Sequence, residues 1–199
     1  MPSMSTLERA VCQSAPWRVF AVRLVLPWAL QGVEPRGDVL EIGGGSGAMA
    51  AQILEAFPDA RVTSTDVDER MVADARVRLE SFGDRALVRQ ASAIDLPFPD
   101  ESFDMVLSFI MLHHVVEWES ALTEALRVLR PGGVLVGYDL LSTLPLRALH
   151  RAEGQPFRMM TIEAFGAVLS ELPLEQSTVR PGLARFAVRF RLTKQVATS

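Results

Sequence analysis

The stretch Val39-Leu40-Glu41-Ile42-Gly43-Gly44-Gly45-Ser46-Gly47 decides the fold. A short apolar run carrying one acid breaks into four glycines within five residues. The residues that follow, Ala48-Met49-Ala50-Ala51-Gln52-Ile53-Leu54, read as a helix. Strand, glycine turn and helix in that order open a nucleotide-binding βαβ unit. Glycine allows positive φ in the tight turn and lets the backbone pass beneath a ligand with no Cβ in the way. The free N–H groups at the helix start favour electron-rich ligand atoms.

Working outward, apolar runs and amphipathic segments alternate. The run at 38–42 is almost continuously apolar, as a central parallel strand covered on both faces must be. A second strand at 61–65 delivers Asp66, and a helix over 69–82 places Met71, Ala75 and Leu79 on one side. Gly83-Asp84 closes it before a third strand at 86–91. A loop rich in proline and acid, at 94–103, precedes a fourth strand at 104–109 and the sequence Met111-Leu112-His113-His114. A helix over 118–129 turns its leucines inward, Arg130-Pro131-Gly132-Gly133 reads as a turn, and a fifth strand follows at 134–138. This alternation predicts an open parallel α/β sheet with right-handed connections. Beyond it, 139–160 is weakly patterned. A helix over 161–172 starts at Thr161, and two strand-like segments at 174–179 and 184–192 flank Arg180-Pro181-Gly182, which reads as their antiparallel turn. At the other end, 1–32 reads as helical and interrupted at Pro27, either packed on the edge of the core or closing over the ligand cleft.

Composition limits the function classes. A chain of 199 residues that is 49% hydrophobic is one domain of generous size. A net charge of -4 argues against a general nucleic-acid binder. The single cysteine, Cys12, excludes an internal disulfide, and the three histidines show no HExxH spacing, so no metal is expected. The early apolar stretch at 16–30 is too short to span a bilayer and is interrupted by Arg18, Arg23 and Pro27, so no membrane span and a soluble cytoplasmic protein are expected. Nothing in the residues reports the oligomeric state.

The glycines admit two registers. Gly43-x-Gly45-x-x-Ala48 fits the dinucleotide fingerprint of an NAD(P)-binding oxidoreductase. Gly43-x-Gly45-x-Gly47 with Glu41 ahead of it fits a different nucleoside site. Asp66, at the end of the second strand, can accept ribose hydroxyls in either, so these residues alone leave both ligands open. The larger set of motifs separates them. The stretch 39–47, then Asp66, then Leu96-Pro97-Phe98-Pro99-Asp100-Glu101-Ser102-Phe103-Asp104, then Leu112-His113-His114, then Leu129-Arg130-Pro131-Gly132-Gly133 resembles the class I S-adenosylmethionine-dependent methyltransferases. The likeness is greatest to the branch holding the ubiquinone/menaquinone-type and many other small-molecule methyltransferases, and it runs from Asp38 to Tyr138.

The resemblance implies a Rossmann-like open seven-stranded α/β sheet, mostly parallel with an antiparallel last strand and helices on both faces. It implies a helical segment at 1–34, a single methyltransferase domain at 35–195 and an acceptor-side insert at about 140–160. It implies S-adenosylmethionine as cofactor, S-adenosylhomocysteine as product, and a small-molecule acceptor. Gly43, Gly44, Gly45 and Gly47 would line the methionine part, with Glu41 beneath the loop near the ammonium. Asp66 would hold the ribose hydroxyls and Val67 would pack on the adenine. Ser92 stands where the family often carries an acid toward the adenine amine, a departure that loses a charge-assisted bond and shifts weight to Ala93. Ser108, Phe109 and Met111 would lie near the sulfonium.

Methyl transfer needs no obvious catalytic triad, because the sulfonium already activates the methyl and the protein orients an acceptor behind it. His113, His114 and Tyr138, at the ends of the fourth and fifth strands, are the catalytic candidates, with Asp139 and His150 beside them. A non-catalytic cofactor-binding module is the remaining alternative, supported only by Ser92.

Overall fold

Period-two burial on both sides explains why the apolar runs become strands. The computed structural model describes residues 25–141, 160–182 and 187–196. Seven strands form one sheet: β1 Gly37–Ile42, β2 Ala60–Asp66, β3 Ala86–Gln90, β4 Phe103–Phe109, β5 Leu129–Leu140, β6 Leu174–Gly182 and β7 Ala187–Lys194. Five α-helices accompany them among the described residues: α1 Leu26–Leu30, α2 Ala48–Ala56, α3 Glu69–Leu79, α4 Trp118–Val128 and α5 Ile162–Glu171. The strand order is β3-β2-β1-β4-β5-β7-β6. β1 to β5 are mutually parallel, and β7 inserts antiparallel between β5 and β6. The expected mostly parallel sheet with one antiparallel last strand is therefore present.

Leu40, Ile42, Val106, Leu135 and Phe190 enter one core with α4 and α5. Their neighbours Val39, Met105, Leu107 and Val136 enter a second core with α1, α2 and Val62 of β2. Chain direction reverses its progress across the sheet between β1 and β4, so the glycine turn after β1 opens at the topological switch point, where ligands of such sheets bind. No helix among the described residues is long and apolar enough to cross a membrane.

Three local expectations change. Arg130-Pro131-Gly132-Gly133 is not a turn ahead of the strand but a bulge inside β5. The register jumps from Phe103↔Leu129 to Met105↔Val134, leaving Asp104 alone opposite residues 130–133. Arg180-Pro181-Gly182 is likewise strand, paired with Arg189, Val188 and Ala187. Proline is tolerated there because β6 is an edge. The helix expected to reach 82 ends at Leu79 and passes into a 3₁₀ turn, Glu80–Arg85, with Gly83 at φ 56°. Thr161 caps α5 as expected, its side chain accepting from the Ala164 N–H at 3.1 Å. Most of the 1–34 segment, residues 142–159 of the insert with His150, and residues 183–186 lie outside the described residues.

Candidate functional site

The glycines divide their work. Gly43, Gly45 and Gly47 have φ of 67°, 55° and 75°, a region that other residues rarely adopt. A Cβ on Gly43 would stand 2.7 Å from Cβ of Met111, and one on Gly44 would overlap the Glu41 carboxyl and the Ser64 hydroxyl. A Cβ on Gly47 would press against Ala75 of α3 at 3.1 Å. Gly45 alone has nothing within 4 Å on that side, so the loop is packed from below and open above Gly45. Arg78 of α3 donates to the Ser46 carbonyl and to its hydroxyl, tying the loop to the next helix.

Two carboxylates meet this loop. Glu41 is 2% exposed, and the Ser64 hydroxyl donates to its Oε2 at 2.7 Å. Burial pushes its pKa up to about 7; the Ser64 bond opposes the shift and the nearby Asp66 charge adds to it. Asp66 accepts from Gly45 N–H through Oδ2 and from Asp68 N–H through Oδ1, both at 2.9 Å. Burial raises its pKa as well, against those backbone bonds. Each Asp66 oxygen accepts one of these bonds and retains acceptor capacity. Val67 beside it is 37% exposed. Across the next crossover, the Ala91 N–H donates to the Asp66 carbonyl, Ser92 forms an isolated bridge with Asp95, and Ala93 is buried.

At the end of β4, Ser108 is 2% exposed and its hydroxyl has no hydrogen-bond partner among the described residues. Phe109 packs on Tyr138 at 5.6 Å between centroids, and Tyr138 meets Trp28 of α1 edge-on at 5.3 Å. Ile110 then adopts φ 50° and Met111 comes down on Gly43. His113 is 2% exposed with Nδ1 2.6 Å from Asp139 Oδ1, and its ring lies 4.0 Å from the half-buried ring of His114. Asp139, wholly buried, also accepts from the N–H groups of Met111, Leu112 and Leu140. Burial by itself would raise the Asp139 pKa; the charge and bond of His113 and the backbone donors outweigh it and hold the carboxyl below its usual range.

The structure thus gathers Glu41, the glycines, Asp66, Val67, Ser108, Phe109 and Met111 around the strand ends at the switch point. It does not bring the catalytic candidates together. Tyr138 faces the α1 side with Trp28, while His113 faces Asp139, the next residue on β5 and therefore on the other face. Sequence reasoning missed Ser64, Trp28 and Ile110. Ser64 was reachable from register, because it pairs with Glu41 across β1 and β2. Trp28 and Ile110 carry no local signal.

Residues 40–137 match the model of the methyltransferase domain family. A demethylmenaquinone methyltransferase from Tropheryma whipplei is 37% identical over 132 residues, covering 66% of this chain and 51% of that one. A 27-O-demethylrifamycin SV methyltransferase from Amycolatopsis mediterranei is 32% identical over 179 residues, covering 81% of this chain and 65% of that one. The chain spans between about half and two thirds of the length of these relatives. Among solved structures, the PH0226 protein from Pyrococcus horikoshii superposes with a TM-score of 0.75 at 18% identity, covering 97% of this chain and 100% of that one, which speaks for the fold. With the sheet order, the glycine turn at the switch point and these matches in hand, residues 40–137 are a methyltransferase domain on the class I methyltransferase sheet.

Proposed function

We propose that this protein transfers a methyl group from S-adenosylmethionine to a small-molecule acceptor by in-line displacement. One observation carries the choice of cofactor. Two carboxylates, Glu41 and Asp66, sit directly under and beside the glycine loop. Glu41, under the loop where a dinucleotide would place its pyrophosphate, favours the cationic methionine end of S-adenosylmethionine, whose charge would draw its raised pKa back down, and opposes a pyrophosphate. The small-molecule acceptor rests on the relatives named for menaquinone and rifamycin methylation.

S-adenosylmethionine, when bound, supplies a methyl group already activated by its sulfonium. The chain's own residues bind and orient. Gly43, Gly44, Gly45 and Gly47 line the methionine part over Glu41, and the spare acceptor positions of Asp66 suit two ribose hydroxyls. Val67 offers an exposed apolar flank for the adenine, with Ser92 and Ala93 at its edge. Ser108, Phe109 and Met111 face the reacting end, where the buried Ser108 hydroxyl, without a partner among the described residues, needs an acceptor or donor. Of the two histidines, His114 is the one exposed enough to take a proton from an acceptor; His113 is closed on Asp139, and Tyr138 forms an aromatic wall with Trp28 and Phe109.

Calorimetry with S-adenosylhomocysteine tests this reading. Binding at micromolar strength is expected, and Asp66→Ala should weaken it at least about tenfold through lost charge-assisted bonds. Absence of heat from the wild-type protein, or binding of a nicotinamide dinucleotide instead, overturns it.

A further inference from the structure

The turn after β4 is held in a conformation its own residues do not favour. Ile110, a β-branched residue, sits at φ 50°. Three consecutive N–H groups there are taken by the end of β5: Ile110 donates to the Tyr138 carbonyl at 2.9 Å, and Met111 and Leu112 donate to Asp139 Oδ2 at 2.9 and 2.7 Å. The other carboxylate oxygen takes His113 Nδ1 at 2.6 Å and the Leu140 N–H at 2.7 Å. One buried carboxylate therefore receives four donors, three of them from residues 111–113. The same turn presents Met111 to Gly43, where only glycine leaves room for it.

We propose that Asp139 is a positioning residue for the glycine loop. It touches neither cofactor nor acceptor in this role. It fixes the strained turn at Ile110, and that turn fixes Met111 as the stop against which Gly43, the first residue of the loop, rests. The loop's open face is thus set from two strands away, across β4, by a side chain on β5. The proposal rests on the methyltransferase reading for its consequence in cofactor binding, but its structural core does not.

The test uses the full chain without ligand. Amide hydrogen exchange is measured in wild type and Asp139→Asn well below the unfolding midpoint. Asn keeps the size of the side chain but replaces a carboxylate oxygen by a donor, so it cannot accept all four bonds. Exchange at Met111 and Leu112 should rise, and exchange across 43–47 should rise with it by about tenfold or more. Adding Ile110→Asn should bring the glycine-loop exchange back toward wild type, because asparagine accepts positive φ and needs less holding. A contribution of Asp139 to general stability alone would not be rescued at that position. If Asp139→Asn does not fold, Met111→Gly serves: it removes the stop with Asp139 intact, and should raise exchange across 43–47 while the Leu112 N–H stays protected. Glycine-loop exchange unchanged in the folded variant overturns the proposal, as does failure of Ile110→Asn to restore it. A parallel titration with S-adenosylhomocysteine should show affinity reduced about tenfold in Asp139→Asn. A wild type that binds no S-adenosylhomocysteine defeats the methyltransferase reading and leaves the exchange result to decide the proposal by itself.

Discussion

Glu41 is the residue where folding and site chemistry conflict. An ionised carboxylate with 2% exposure and a single hydroxyl donor is poorly compensated, and its pKa rises from 4.5 to about 7 for that reason. The linkage follows directly. Between pH 4.5 and about 7 the folded chain keeps a proton that the unfolded chain has released, so this group's contribution to stability is full below 4.5 and is lost as pH rises through 7. The size is on the order of 3 kcal/mol. Asp66, also raised, acts in the same direction, whereas Asp139, lowered, contributes stability that is lost only in acid. Glu41→Gln isolates the first component, because the amide mimics the protonated carboxyl. Denaturant unfolding should find the variant close to wild type at pH 4.5 and more stable by about 3 kcal/mol at pH 8. Parallel curves for the two proteins across that range would show that Glu41 does not titrate there.

At the scale of elements, β5 carries more than its apolar pattern announced. Gly137 lies where β4 and β7 both close on it: a Cβ there would run into the Ser108 carbonyl and stand 2.6 Å from Cζ of Phe190. Phe190 is fully buried and packs on Phe165 of α5 at 5.1 Å, which in turn meets Trp118 of α4 at 6.1 Å. Neither side can yield, so Gly137→Ala should cost about 1–3 kcal/mol by overpacking. The unfolding midpoint should fall by roughly 2–4 °C per kcal/mol. Adding Phe190→Leu should recover part of the loss; no recovery would place the clash at the β4 backbone alone. The sequence showed that a strand stood at 134–138 but not that it runs from Leu129 to Leu140. Pro131 and Gly132 send a local turn signal, and only pairing with β4 and β7, residues distant in sequence, carries the chain through the bulge as strand. The same reason hid the strand character of Pro181. What was legible was local: the glycine turn, the Asp66 position and the Thr161 cap each depend on neighbours within a few residues. The Glu41–Ser64 contact, the His113–Asp139 pair and the separation of His113 from Tyr138 depend on register between strands, which no local pattern encodes.

At the scale of the molecule, the two ends of the sheet differ in what they ask of the chain. The ends where strands begin are clamped by charge. Arg130 reaches both Asp104, at 2.7 Å, and Asp38, at 3.2 Å, and Arg61 also reaches Asp38, at 2.8 Å, so β1, β2, β4 and β5 are linked. These pairs are partly exposed, so each adds little and is weakened by salt. The ends where strands finish hold the raised carboxyls of Glu41 and Asp66, the Ser108 hydroxyl, which has no partner among the described residues, and the positive φ of Ile110. Glu101, ahead of β4, has a positive φ of 54° at the other end, but the buried carboxyls that burial raises lie at the end a ligand would cover. A ligand that binds the folded chain alone returns free energy by mass action, about 2.7 kcal/mol at a concentration one hundred times its Kd. For a domain of this length that is a rise in the unfolding midpoint of roughly 5–10 °C. S-adenosylhomocysteine at that multiple should produce the rise in wild type. In Asp66→Ala the same absolute concentration, now about ten times the weakened Kd, should return only about 1.4 kcal/mol and roughly half the shift. NADH at the same concentration should leave both midpoints where they are. A rise with NADH and none with S-adenosylhomocysteine would mean that the two carboxylates under the glycine loop have been assigned to the wrong ligand.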